Sequence, residues 1–233
     1  MKKSDFILSS HYIDIILSAV FAVLFPVSVW YSLNVPGVVL AQGVSHRIFY
    51  FHVSVAWVAL YAPVISSMAG ILYLWKKDEK WDMISESMCR LSLVFCIAVL
   101  FSGPIWAKSN WGVYWDWTDA RLQSFFALFL GLCGYFLLRN LIPDVQKQAK
   151  ISSVFTVFIS LNALLTWGAI RWMDNPGNHP GSVLGKGGMD SEMKTAFYLN
   201  VLSYHILFLI LSVILYRLVR TERQNKKLLY SEN

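Results

Sequence analysis

Charge is scarce in this sequence. Only 15% of its 233 residues are Asp, Glu, Lys or Arg, and 56% are apolar in the broad count. Soluble proteins average roughly a quarter charged. The deficit excludes an ordinary soluble enzyme and puts the chain in the membrane class. Cysteine is sparse too. Cys89, Cys96 and Cys133 lie in apolar runs and form no CxxC or CxxCH pair. That excludes a cysteine zinc site, a thioredoxin-like dithiol and covalent cofactor attachment; the three read as small buried hydrophobes. No P-loop, internal repeat or low-complexity tract occurs. The net charge of +6 could suit nucleic acid, but the basic residues are scattered through short loops and not striped along one face.

What the sequence has in abundance is long apolar runs. A window of about 20 residues, the length a helix needs to cross ~30 Å of hydrocarbon, predicts six spans. They fall near 12–33, 47–75, 88–106, 122–141, 151–171 and 196–217. Unpaired backbone amides are too costly in lipid, so each must be helical. The fold class is therefore all-α, a polytopic membrane protein, with residues 1–233 forming one domain. Pro26 and Pro63 should kink the first two spans. Met1, Lys2 and Lys3 mimic the start of a signal peptide, but the run from Tyr12 to Leu33 exceeds the ~7–15 residues of a signal core. It reads as a retained first span.

Orientation follows from lysine and arginine. One side carries Lys2, Lys3, Lys76, Lys77, Lys80, Arg90, Arg139, Lys147, Lys150, Arg217, Arg220, Arg223, Lys226 and Lys227. The other has only Arg47, Lys108, Arg121, Arg171, Lys186 and Lys194. The richer side should be cytoplasmic, with both termini inside and the loops 34–46, 107–121 and 172–195 outside. The cytoplasmic loops KKDEK and PDVQKQAK read as short, solvated connections.

The outer segment 106–121, WAKSNWGVYWDWTDAR, stands apart. Trp106, Trp111, Trp115, Trp117 and Tyr114 are set among Asp116, Asp119, Lys108 and Arg121. Tryptophan gathers at both membrane interfaces as an aromatic belt. Here the inner side has Trp75 and Trp81, whereas the outer side has Trp106, Trp111, Trp115, Trp117 and Trp172. That imbalance favours a platform for a flat, apolar ligand with charge at one edge, and haem is the obvious candidate. Asp116 and Asp119 could hydrogen-bond indole N–H groups or pair with Arg121.

Five histidines could serve such a ligand. His11 reads as interfacial, and His205 as a hydrogen-bonding residue within the last span, although an intramembrane polar residue is always a functional hypothesis. His52, in SHRIFYFHVSVAW, follows Arg47 by five residues. That rise of about 7.5 Å approximates the distance from a haem iron to its propionate edge, and arginine pairs well with carboxylates. His179 lies in the stiff, turn-forming run NPGNHPGS of the third outer loop. Each histidine alone could be merely structural. Together, one on a helix and one on a loop, they could approach an iron from opposite sides, and neutral imidazole is a good axial ligand.

WGVYWDWTDARL, YFHV on an apolar helix and a lone outer-loop histidine resemble the tryptophan-rich WWD family of haem-handling proteins in cytochrome c biogenesis. Size and six-span layout resemble most closely its cytochrome c maturation protein C (CcmC, haem exporter protein C) branch, over nearly the whole chain. The resemblance implies a bacterial inner-membrane protein with a periplasmic functional face. It implies haem b held non-covalently, with His52 and His179 as axial ligands and Trp111, Trp115 and Trp117 against the porphyrin. Asp119, Arg121 and Arg47 complete the implied site. Implied partners are a membrane-anchored periplasmic haem chaperone, the ATPase and membrane subunits of an ABC transporter, and a small single-span subunit.

One departure stands out. The family usually places an aspartate directly after the third tryptophan of the motif; here Thr118 separates Trp117 from Asp119, and Asp116 is the alternative. His46 stands where an aromatic is common, and offers another ligand or a hydrogen bond. The expected activity is haem delivery by ligand exchange, as a transfer protein more than a catalyst. A b-type cytochrome linked to quinone is the main alternative, though the inner half offers little beyond His11 as a ligand. A transport permease is another. An aromatic cage for a quaternary ammonium would leave both histidines without a role.

Overall fold

The computed structural model describes residues 11–37, 43–172 and 189–231. It is all-helical there, and six of its helices are long and apolar enough to cross a membrane. They are α1 (His11–Asn34), α2 (Ile48–Lys76, preceded by a 3-10 turn at Gly43–Arg47), α3 (Glu79–Trp111), α4 (Ala120–Leu141), α5 (Val145–Trp172) and α6 (Ser191–Ser231). Several run past the expected spans, because hydropathy detects only the apolar middle of a helix while capping sets its ends. At the start of α3, Asp78 accepts the Lys80 N–H at 3.0 Å. At its end, Gly112 takes φ +77° and returns its N–H to the Lys108 carbonyl at 3.2 Å. That left-handed position suits glycine. Two of the four tryptophans in the 106–121 segment, Trp106 and Trp111, thus belong to the last turns of α3.

Helix α2 is the hub. It packs most closely on α3, then on α5 and α6, while α4 rests on α5, and α1 leans on α6 at the rim. Between lipid-exposed helices the hydrophobic effect does not drive association, so small residues and interhelical hydrogen bonds decide where helices meet. At the α2–α5 contact, a Cβ on Gly70 would stand 2.9 Å from Thr156 Oγ1 and 3.2 Å from the Ser153 carbonyl oxygen. Between α2 and α3, Ser66 and Ser85 are linked at 2.9 Å. Ser92 Oγ donates to the Ala59 carbonyl at 2.9 Å. Pro63 has no N–H with which to bond that carbonyl four residues before it. The serine therefore satisfies the acceptor that the proline frees, and α2 keeps a proline deep in the bundle. Pro104, inside α3, is a third helix-interior proline beside Pro26 and Pro63.

The end opposite the tryptophans is locked by charge. Arg139 on α4 donates from Nη1 and Nη2 to Asp82 on α3, at 2.9 and 3.1 Å. Its Nη2 also lies 2.9 Å from Glu86. Arg223 on α6 donates to Asp82 at 2.6 Å and to Glu86 at 2.7 Å. Arg90 bridges Glu86 and Glu222, at 2.8 and 2.6 Å. Gln148 on α5 accepts from Arg139 at 3.3 Å and donates to the Arg139 carbonyl. Asp82, Glu86 and Arg139 are all buried. Four helices share one nearly neutral network. As a set of positive charges, Arg90, Arg139 and Arg223 read as orientation markers; they are also structural ties.

Candidate functional site at the tryptophan-rich end

His52 sits just over one turn into α2 and is 8% exposed, facing α3. Its Nδ1 lies 2.8 Å from Ser102 Oγ. The serine hydroxyl has one proton, and it lies 2.8 Å from the Ala98 carbonyl, which can only accept. With that proton on Ala98, His52 Nδ1–H is the donor to Ser102. In that tautomer Nε2 is left unprotonated. A ring held by a hydrogen bond at one nitrogen, with a lone pair at the other, is the form in which imidazole binds iron. The neighbouring Gly103 allows the close approach: a Cβ there would stand 3.2 Å from His52 Cε1. Ser102 and Gly103 are the contacts of His52 on α3, and the sequence alone did not single them out. The only local signal was the polar, helix-weakening run Ser-Gly-Pro inside an apolar span.

Beyond Gly112 the chain turns back towards α4. Asp116 Oδ1 accepts the Thr118 N–H at 2.8 Å and its hydroxyl at 2.6 Å, a local turn that fixes the segment. Asp119, fully buried, caps α4 by accepting the N–H groups of Arg121 and Leu122 at 3.0 and 3.1 Å. The two aspartates thus shape the loop and start the next helix. On this frame the Trp115 and Trp117 rings meet at 5.6 Å, and both lean on Phe126 of α4, at 6.1 and 5.7 Å. Trp117 stays 63% exposed, so an aromatic face remains available. Trp111 is paired separately, edge-on to Trp106 at 5.5 Å. The tryptophans form two groups, one on the end of α3 and one on the loop.

The guanidinium acting on His52 is that of Arg121. Arg47 acts on Tyr50, together with Asp190, and Arg47 Nη2 donates to the Pro36 carbonyl at 3.4 Å. Arg47 belongs to the 3-10 turn before α2, whereas His52 lies within α2, so ideal α-helical spacing does not describe the pair. His46, 4% exposed, points Nδ1 at the Gly43 carbonyl at 2.7 Å, and its ring meets Tyr50 at 6.1 Å. His205 donates to the Val201 carbonyl at 2.6 Å and packs on Tyr61, nine residues deeper along α2 than His52. It is remote from the platform. His179 lies outside the described residues.

Several buried polar atoms at this end have no hydrogen-bond partner among the described residues: His46 Nε2, Arg47 Nε, Tyr50 Oη and Trp115 Nε1. Burying such groups unpaired costs about 1–3 kcal/mol each, so they mark places suited to a polar ligand edge. A bare imidazole nitrogen, broad aromatic faces, nearby guanidiniums and unpaired N–H and O–H donors together suit an iron porphyrin with its carboxylates. Among the described residues no three His, Cys, Asp or Glu side chains gather as a metal cluster.

The sequence profile of the heme exporter protein C family matches residues 2–230. The chain belongs to the heme exporter protein C family. Its relatives include heme exporter protein C of Bradyrhizobium diazoefficiens, 29% identical over 75% of this chain and 65% of that protein. The protein of the same name in Rhodobacter capsulatus is 28% identical, over 91% of this chain and 87% of its own length. A plant relative is the putative cytochrome c biosynthesis ccmC-like mitochondrial protein of Marchantia polymorpha, 26% identical over 69% of this chain and 64% of its own length. The six apolar helices and the bacterial relatives agree with a multi-pass membrane protein.

Proposed function

We propose that this chain is one haem-handling membrane domain, 1–233, that binds haem b at its tryptophan-rich end and passes it on during c-type cytochrome maturation. The receiver is a membrane-anchored periplasmic haem chaperone. The protein lies in the bacterial inner membrane with both termini in the cytoplasm, so that the tryptophans face the periplasm. An ABC transporter's ATPase and membrane subunits and a small single-span subunit complete its surroundings. The relatives' names, heme exporter and cytochrome c biosynthesis, support haem as the cargo.

The observation that supports this reading is the Ser102 hydroxyl 2.8 Å from His52 Nδ1. With Nδ1 as the donor, Nε2 is in the form that binds iron. His179 supplies the second axial imidazole. Trp111, Trp115 and Trp117 lie against the ring, Arg121 and Arg47 steady the propionates, and Asp119 holds the start of α4 so that Arg121 is placed. No bond to a haem carbon is made by this chain. Release needs only the exchange of one imidazole for a ligand on the receiver, and a site assembled from a helix and a loop allows one of the two to leave first.

Absorption spectroscopy of the purified protein with added haem tests this. Wild type should give a six-coordinate, low-spin spectrum, and His179→Ala a high-spin or weakened one. A low-spin spectrum unchanged in both His179→Ala and His52→Ala would reject the ligand assignment. Wild type that takes up no haem would favour a permease.

A further inference from the structure

The geometry points to an anionic-phospholipid site at the end of the bundle opposite the tryptophans, in a groove between α2 and α5 whose rim is Lys77 and Lys150. The groove has a volume of about 360 Å³, and Leu74, Val154, Phe155 and Phe158 form its wall. Its polarity is layered. From Lys150 to Phe158 the wall runs eight residues along α5, about 12 Å at the helical rise, with the two lysines at one end and only apolar side chains lining the rest. A phospholipid has the same layering: a charged phosphodiester above hydrocarbon.

Two further observations separate these lysines from the ordinary basic residues of a membrane interface. First, the carboxylates nearest in sequence are engaged elsewhere. Asp78 caps α3 and lies 3.9 Å from Lys80, Glu79 takes Lys227 at 2.8 Å, and Asp144 accepts the Lys147 N–H at 2.6 Å. Neither Lys77 nor Lys150 is in an ion pair among the described residues. Two positive charges thus remain for an external anion. Second, Lys77 ends α2 at φ +54°, the one non-glycine residue with positive φ among those described. A helix commonly closes there with glycine, and a side chain at that backbone conformation is uncommon. The sequence keeps a lysine, whose amine lies 5.9 Å from the centre of the Tyr73 ring. Basic pockets between membrane helices recognise anionic headgroups.

The test is retention of phosphatidylglycerol against phosphatidylcholine by the full chain in mixed nanodiscs, read by native mass spectrometry. Wild type should prefer phosphatidylglycerol. Lys77→Gln with Lys150→Gln should weaken that preference roughly 25-fold, since each lysine near the headgroup plane contributes about 1 kcal/mol and each 1.4 kcal/mol is tenfold. Lys77→Arg with Lys150→Arg should keep it, as should Lys226→Gln on the far end of α6. Lys77→Gly is the sharpest variant: it relieves the backbone while removing the amine, so it should hold or raise the thermal midpoint and still lose lipid preference. Equal retention of both lipids by wild type, an undiminished preference in the double Gln variant, or displacement by inorganic phosphate alone would overturn the assignment.

Discussion

The two ends of the bundle handle polarity in opposite ways. At the lysine-rich end, Asp82, Glu86, Arg139 and Arg223 are buried or nearly so, and Asp82 and Glu86 each meet at least two guanidiniums. At the tryptophan-rich end, His46, Arg47, Tyr50 and Trp115 bury polar atoms without partners among the described residues, and aromatic surface stays open. The lysine-rich end pairs its buried charges within the chain, although Trp81 Nε1 is buried there without a partner among the described residues. The tryptophan-rich end leaves more of its polar atoms open. Stability and receptivity are thus segregated along the same helices, and α2 and α3 run through both.

Breaking the lock should have the largest effect. Arg139→Ala leaves Asp82 and Glu86 short of a buried partner, and removing one member of a buried ion network costs about 3–5 kcal/mol. The thermal midpoint in detergent should fall sharply and the yield with it. Trp117→Ala, at the other end, should change the unfolding free energy by no more than about 0.5 kcal/mol, as surface substitutions usually do. If the two variants lose equal stability, the contrast between the ends is wrong.

Ser102→Ala should be next, and its effect should be on haem, not on the fold. Removing a group that orients a ligating histidine typically costs 10–100-fold in affinity. A haem titration should show that loss with an almost unchanged unfolding midpoint. Unaltered affinity would mean that Ser102 does not set the His52 tautomer.

The smallest effect separates two roles for Asp119. As a cap its loss in Asp119→Ala should cost about 1 kcal/mol, while Asp119→Asn, an equally good cap, should cost almost nothing. If Asp119→Asn instead lowers haem affinity tenfold with stability intact, the carboxylate charge acts on the ligand directly.

Much of the frame was legible in the sequence, because lipid forces each long apolar run to be a helix and the runs were clear. The tryptophan-rich connection and His52 were legible as residue types in a telling order. What joins them was not. Ser102 is fifty residues from His52, and nothing local in either stretch announces their hydrogen bond. The ion lock was hidden for the same reason: Arg139 meets Asp82 across 57 residues, and Arg223 meets it across 141. A count of lysine and arginine by loop reports charge by side, and is blind to which charges are buried in pairs. The Arg47–His52 pair shows a subtler limit, since helical spacing applies only within one helix and the start of α2, between the two, was not legible.

The claim on which all this rests is that His52 offers a bare Nε2 to iron at the tryptophan-rich end. The most direct test is His52→Gly, which removes the imidazole and leaves room for one. The account predicts that this variant loses the low-spin haem spectrum and regains it when free imidazole is added. A His52→Gly protein whose haem spectrum matches wild type without imidazole would contradict it.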